Sequence, residues 1–146
     1  MICDNQQQFV ELNYDFIIEE PSFLTQGSKE SFCSPVFCDK ANGKINWRLK
    51  IFPRGVNVDA DYHFSLYLER VMDNKDPPVI VQLKVTIWKN GEEIFSHSGE
   101  PEALGCDPLP SCVGWDKIGK RPFLFDDPSE PIFEELKISC QLIYIA

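Results

Sequence analysis

The stretch Asn46–Gly55, NWRLKIFPRG, decides the fold. Trp47, Leu49 and Ile51 alternate with Arg48 and Lys50, the period of a strand with one buried face. Pro53 has no amide to give to a sheet ladder, so pairing ends there. Gly55 then permits the turn that sends the chain onward. These residues read as scaffold: an apolar strand stopped at a sheet edge.

The same two-residue period recurs on both sides of it. Leu12, Tyr14, Phe16 and Ile18 form one face of an early run closed by Pro21. A short apolar segment lies at Pro35–Cys38, and the turn pair Asn42-Gly43 precedes the opening strand. Phe64, Leu66 and Leu68 share one face of a further strand, with Ser65 and Tyr67 on the other. Val81, Leu83, Val85 and Ile87 repeat the pattern against Gln82, Lys84 and Thr86. Asn90-Gly91 then predicts a tight hairpin, because both residues tolerate positive φ, and Glu92–His97 is the return strand. Gly and Pro are frequent from Ser98 to Gly114, which predicts a long surface loop. A short apolar piece at Pro122–Phe125 leads into the acidic run DDPSEPIFEE. Leu136, Ile138, Cys140, Leu142 and Tyr144 mark the last strand. About eight short strands with turns between them, and no long amphipathic helix, predict an all-β antiparallel sandwich.

A chain of 146 residues forms one domain with a core that needs no covalent staple. Residues 1–8 read as a loose tail and 9–146 as the domain. With 23 acidic and 14 basic residues the formal charge is −9, and phosphate backbones and anionic lipid would be repelled. No nucleic acid or membrane is expected as a partner. The start, MICDNQQQFV, lacks the basic and apolar regions of a signal peptide. Cysteine density is below that of a disulfide scaffold, which points to reduced thiols and a cytoplasmic or nuclear chain.

Catalytic chemistry finds little support. His63 and His97 fall at strand ends, where a solvated side chain is expected, and no nucleophile accompanies either. The pairs Cys33/Cys38 and Cys106/Cys112 are spaced more widely than a zinc knuckle, and a cysteine beside an apolar strand is a small core hydrophobe. Asp126, Asp127, Glu130, Glu134 and Glu135 lack calcium-loop spacing. The expectation is no enzyme, no metal and no cofactor.

Taken in order, the motifs resemble a known family. WRLKIFPRG is similar to the W-x-L-x-I/V-x-P-x-G signature of the MATH (meprin and TRAF homology) domain. YDFIIEEPS at Tyr14–Ser22, SPVF at Ser34–Phe37, FSLYLE at Phe64–Glu69, GWDKIGKRPFLFDD at Gly114–Asp127 and LKISCQLIYI at Leu136–Ile145 resemble further family segments. The likeness runs from about Phe9 to the C-terminus and is nearest to the speckle-type POZ proteins. It implies a TRAF-like eight-stranded sandwich that is non-catalytic and holds an extended partner segment in a shallow groove. In the speckle-type members that segment is an apolar residue, a polar residue, then Ser/Thr positions, and a downstream BTB/POZ domain recruits a cullin ubiquitin ligase.

Carried onto this chain, the resemblance places Tyr67, Leu83, Cys112, Val113, Gly114, Trp115 and Asp116 at the peptide site. Tyr67 alternates away from the apolar face, as a contact residue should, whereas Leu83 falls on the apolar face and suits the core. Trp115 keeps an aromatic in place of the family's Phe. Cys112, Val113 and Asp116 replace Asp, Trp and Lys, which changes pocket shape and charge, and Asp116 would disfavour an acidic or phosphorylated peptide. The last strand pattern ends at the C-terminus, so a cullin ligase enters only if a BTB/POZ domain belongs to a longer protein. The alternative expectation is a structural or oligomerising sandwich whose groove is closed, with Val113 and Trp115 packed inside.

Overall fold

The computed structural model describes residues 9–18, 31–39, 45–52, 63–71, 77–106, 108–120 and 135–145. The residue 1–8 tail, Pro53 and Gly55, the Asn42-Gly43 turn and the Pro122–Phe125 segment lie outside these residues.

Among the described residues, ten strands form two antiparallel sheets. They are β1 (Phe9–Ile18), β2 (Phe32–Cys33), β3 (Phe37–Cys38), β4 (Asn46–Phe52), β5 (His63–Val71), β6 (Val79–Lys89), β7 (Glu92–Ser98), β8 (Glu102–Leu104), β9 (Cys112–Lys120) and β10 (Leu136–Ile145). The first sheet runs β1-β10-β6-β7, with β8 also paired to β6; the second runs β2-β4-β5-β9, with β3 also paired to β4. Because β7 and β8 share one flank of β6, and β2 and β3 share one flank of β4, the sandwich has eight strand positions, four per sheet. The expected eight-stranded antiparallel sandwich is therefore met among the described residues.

Alternation explains the core. Trp47, Leu49 and Ile51 of β4 share the second sheet's inner surface with Phe64, Leu66 and Leu68 of β5, with Leu49 opposite Leu68 and Ile51 opposite Leu66, and all six are fully buried. Val81, Leu83, Val85 and Ile87 of β6 and Leu136, Ile138, Cys140, Leu142 and Tyr144 of β10 supply the first sheet's inner surface. Strands buried on one face only keep their register, because a one-residue slip would turn every apolar side chain to water. At the hairpin, Asn90 (φ 50°) and Gly91 (φ 87°) both adopt the left-handed region and set Lys89 opposite Glu92. That is the turn the Asn-Gly pair predicts.

The long loop expected from Ser98 to Gly114 is corrected by β8 and by the start of β9. Leu104 is fully buried and pairs with Val79, so three residues suffice to hold this segment on the sheet. Beyond it, Gly105 N–H donates to the Pro110 carbonyl and Leu109 N–H to the Cys106 carbonyl, each within 2.9 Å. Pro and Gly on both sides hide so short a strand from a periodicity reading.

Strand β9 was hidden for a different reason. Phe64 pairs with Gly119 and Leu66 with Trp115, so Ser65 alone stands opposite Asp116, Lys117 and Ile118. This bulge shifts the apolar spacing from two to three between Trp115 and the buried Ile118. Ser65, itself buried, donates its hydroxyl to the Asp116 carbonyl and holds the bulge in place.

Candidate functional site

Strand β9 ends the second sheet: it pairs with β5 on one side and with no described strand on the other. An edge strand presents ladder groups to a further extended segment, and alternate side chains of β9 turn to the two sides of the sheet. The sequence-derived residues divide accordingly.

Tyr67 and Gly114 are register partners on the outer side. Tyr67 is half-buried and meets the ring of Phe52 edge-on, with centroids 6.1 Å apart. A Cβ on Gly114 would fall 2.0 Å from the Leu66 carbonyl oxygen and 2.6 Å from Tyr67 Cα, so only glycine allows β9 to lie this close to β5. Cys112, opposite Glu69, is half-buried. Burial and then the Glu69 carboxylate push its thiol up, against a smaller pull from Lys50. A thiol held neutral in this way is a poor nucleophile. Asp116 is exposed on the bulge.

Val113 and Trp115 turn the other way and pack against the core. Trp115 keeps part of its ring at the seam between the sheets, 5.5 Å from the His97 ring and beside Gly99. Leu83 lies in the core at 2% exposure. The structure therefore gathers Tyr67, Cys112, Gly114, Val113, Trp115 and Asp116 about one sheet edge and sets Leu83 behind them in the core.

Four residues complete the outer side beyond those the sequence singled out. Arg48 and Lys50 lie outward on β4, Phe52 follows on the same side but is buried, and Glu69 on β5 forms an ion pair with Arg48. Lys50 Nζ sits 5.9 Å from the centroid of the Phe52 ring and opposite Tyr67. The alternation of β4 turned Arg48 and Lys50 outward, and the register with β5 is what sets Lys50 and Phe52 beside Tyr67. His97 differs from the solvated side chain expected at a strand end. It is half-buried, and its Nε2–H donates to the Ile118 carbonyl 2.7 Å away.

Among the described residues, no three His, Cys, Asp or Glu side chains converge as metal ligands. Cys33 and Cys112 lie at opposite edges of the second sheet.

A family model for the MATH domain matches residues 13–131, most of the chain. The chain belongs to the MATH-domain family. This MATH domain is 26% identical over 112 residues to the mouse (Mus musculus) protein "TD and POZ domain-containing protein 1-like", covering 76% of the chain and 28% of the relative. It is 29% identical over 91 residues to mouse "TD and POZ domain-containing protein 3", covering 62% of the chain and 24% of the relative. The chain thus spans about a quarter of the length of these POZ-containing relatives. Among solved structures, Notothenia coriiceps TRAF5 superposes with a TM-score of 0.63 at 14% identity, over 89% of this chain and 72% of that one. That likeness is one of fold. MATH and TRAF-like domains are protein-interaction modules, and this MATH domain is a module of that class.

Proposed function

We propose that this MATH domain captures an extended segment of a partner protein along β9, as the substrate-selecting part of a ubiquitin-ligase adaptor. The observation that carries the proposal is the β9 edge itself. It is unpaired on one side among the described residues, with Tyr67 over its outer side and Trp115 at the seam. A segment added beside β9 would gain main-chain hydrogen bonds from the edge and specificity from its alternate side chains. Residues turned to the seam would meet Trp115 and Val113. Those turned outward would meet Tyr67, Phe52 and Cys112.

Charge tunes the preference. Asp116 is exposed at one end of the site and Lys50 lies beside Tyr67, so the segment suited to it is uncharged or of mixed charge; an apolar lead residue with Ser/Thr followers is what the resemblance to the speckle-type POZ proteins implies. Recruitment of a cullin ligase requires a BTB/POZ domain in the full-length protein, as the POZ-containing relatives suggest. The corresponding setting is the cytoplasm or nucleus.

A second reading is favoured by one specific observation: Val113 and Trp115 pack against the core and Leu83 is buried. A sandwich with a closed groove would look like this at those positions. A peptide array separates the two. Sequence-selective binding that is lost in a folded Tyr67→Ala, Trp115→Ala variant supports the groove. Absence of selective binding by the folded wild-type domain supports the closed sandwich.

A further inference from the structure

The sandwich has a second open seam, on the side away from β9. There β1 closes the first sheet: all ten of its residues pair with β10, and no described strand lies on its other flank. Its inward side chains Val10, Leu12, Tyr14 and Phe16 are only partly buried, unlike those of β4, β6 and β10. Tyr14 stacks on Phe37 of β3 with centroids 3.9 Å apart and planes within 4°. Beside that stack an open depression of about 660 Å³ lies between Leu12 and Tyr14 on one sheet and Phe37, Cys38 and Asn46 on the other. Exposed Val36 is part of its wall. The volume is in the range that accepts a ligand or large apolar side chains.

Charge tells what kind of strand fits. On the outer face of β1, Glu11 and Asp15 project to solvent four residues apart. Glu11 accepts a hydrogen bond from Gln141, and among the described residues neither carboxylate is in an ion pair. A second copy of this chain is disfavoured: β1 carries no Lys or Arg, so pairing with itself leaves both carboxylates without a cation, and the register centred on Asn13 sets Glu11 against Asp15. Like charges directly opposed across a strand pair are destabilising. A segment with cations at those two positions is matched instead.

We infer that the β1 edge is a second docking site, for an extended basic-apolar segment of another protein. The segment carries Lys or Arg at two positions four residues apart, with apolar side chains at the first and third positions between them. The basic residues pair with Glu11 and Asp15 while the apolar ones enter the depression beside Tyr14 and Phe37, because successive side chains of a strand point to opposite faces. The main chain of the segment extends the first sheet by one strand. This site is independent of the β9 edge.

The test is fluorescence anisotropy with the labelled peptide Gly-Ser-Arg-Leu-Thr-Phe-Arg-Ser-Gly and its counterpart with both Arg replaced by Glu. The expected result is preference of the wild-type domain for the basic peptide, weakened about tenfold or more by Glu11→Lys with Asp15→Lys. The same double variant should acquire binding of the acidic peptide, a gain that misfolding could not produce. Tyr67→Ala with Trp115→Ala should leave the basic peptide's affinity unchanged, which separates this site from the β9 edge. Equal binding of both peptides, no binding by the folded wild-type domain, or loss of basic-peptide binding only in the Tyr67/Trp115 variant would overturn the inference.

Discussion

His97 of β7 donates a hydrogen bond of 2.7 Å to the carbonyl of Ile118 on β9. Since β7 belongs to the first sheet and β9 to the second, one imidazole ties the two layers together at the candidate site. Its ring also meets Trp115, 5.5 Å away between centroids, so the bond helps to fix the aromatic at the seam.

Removal of that tie should loosen the site before it unfolds the domain. His97→Ala deletes the donor and leaves the Ile118 carbonyl without it, a loss of about 1–2 kcal/mol. Urea denaturation should show the lowered midpoint. Hydrogen exchange should speed up first along Cys112–Ile118, while the β10 amides keep their protection; uniform loss of protection would refute a local role.

Gly114 and Gly99 make a matched pair of substitutions. At Gly114 an added Cβ would meet backbone at 2.0 Å, whereas at Gly99 the nearest atom is a Trp115 side-chain carbon at 3.6 Å. Gly114→Ala should therefore cost at least about 2 kcal/mol, since rigid backbone must move. Gly99→Ala should be nearly neutral. Thermal melting of both variants tests the contrast, and equal melting temperatures would contradict the close approach of β9 to β5.

The hairpin turn predicts a cost of a different origin. Gly91 at φ 87° has nothing within 4 Å of an added Cβ, so Gly91→Ala is penalised by backbone conformation alone, about 1 kcal/mol. Asn90 does more: its N–H donates to the Glu135 carbonyl at 2.8 Å, and its Oδ1 accepts from the Glu135 N–H at 2.9 Å. Asn90→Ala should cost about 1–2 kcal/mol, and Asn90→Asp, which keeps the acceptor, should cost less. Equilibrium unfolding of the three variants ranks them.

Cys140 links burial to pH. Burial holds its thiol far above the usual range, with a smaller contribution from Asp15. The unfolded chain can ionise this cysteine from about pH 8.5, while the folded protein keeps it protonated. Above that pH the unfolded state binds fewer protons, so stability is intact below it and falls as pH rises. Unfolding free energy measured from pH 7 to 10 should decline, and the decline should be shallower in Cys140→Ala. At neutral pH iodoacetamide should label exposed Cys33 quickly and Cys140 only on unfolding.

How much of this was legible depended on whether local pattern matched tertiary role. Strands β1, β4, β5, β6 and β10 bury one face and keep a strict two-residue period, so their inward residues could be read directly. Parity also placed Tyr67 outward and Leu83 in the core. The family resemblance brought β9 to the site, but its bulge obscured the strand, because Trp115 and Ile118 share the inner side across three residues. Phe52 and Lys50 needed the register of β4 against β5. His97 was missed because its partner is a backbone carbonyl 21 residues away, a contact with no sequence period. The β1 depression joins residues of two sheets and had no local signature.

The most direct test of the central claim is amide chemical-shift mapping of the domain titrated with a peptide selected from the array. The β9-edge account predicts saturable shifts concentrated at Cys112–Asp116 and Tyr67, abolished in Tyr67→Ala with Trp115→Ala. Saturable shifts confined to surfaces remote from β9, or none at all with the folded domain, would contradict it.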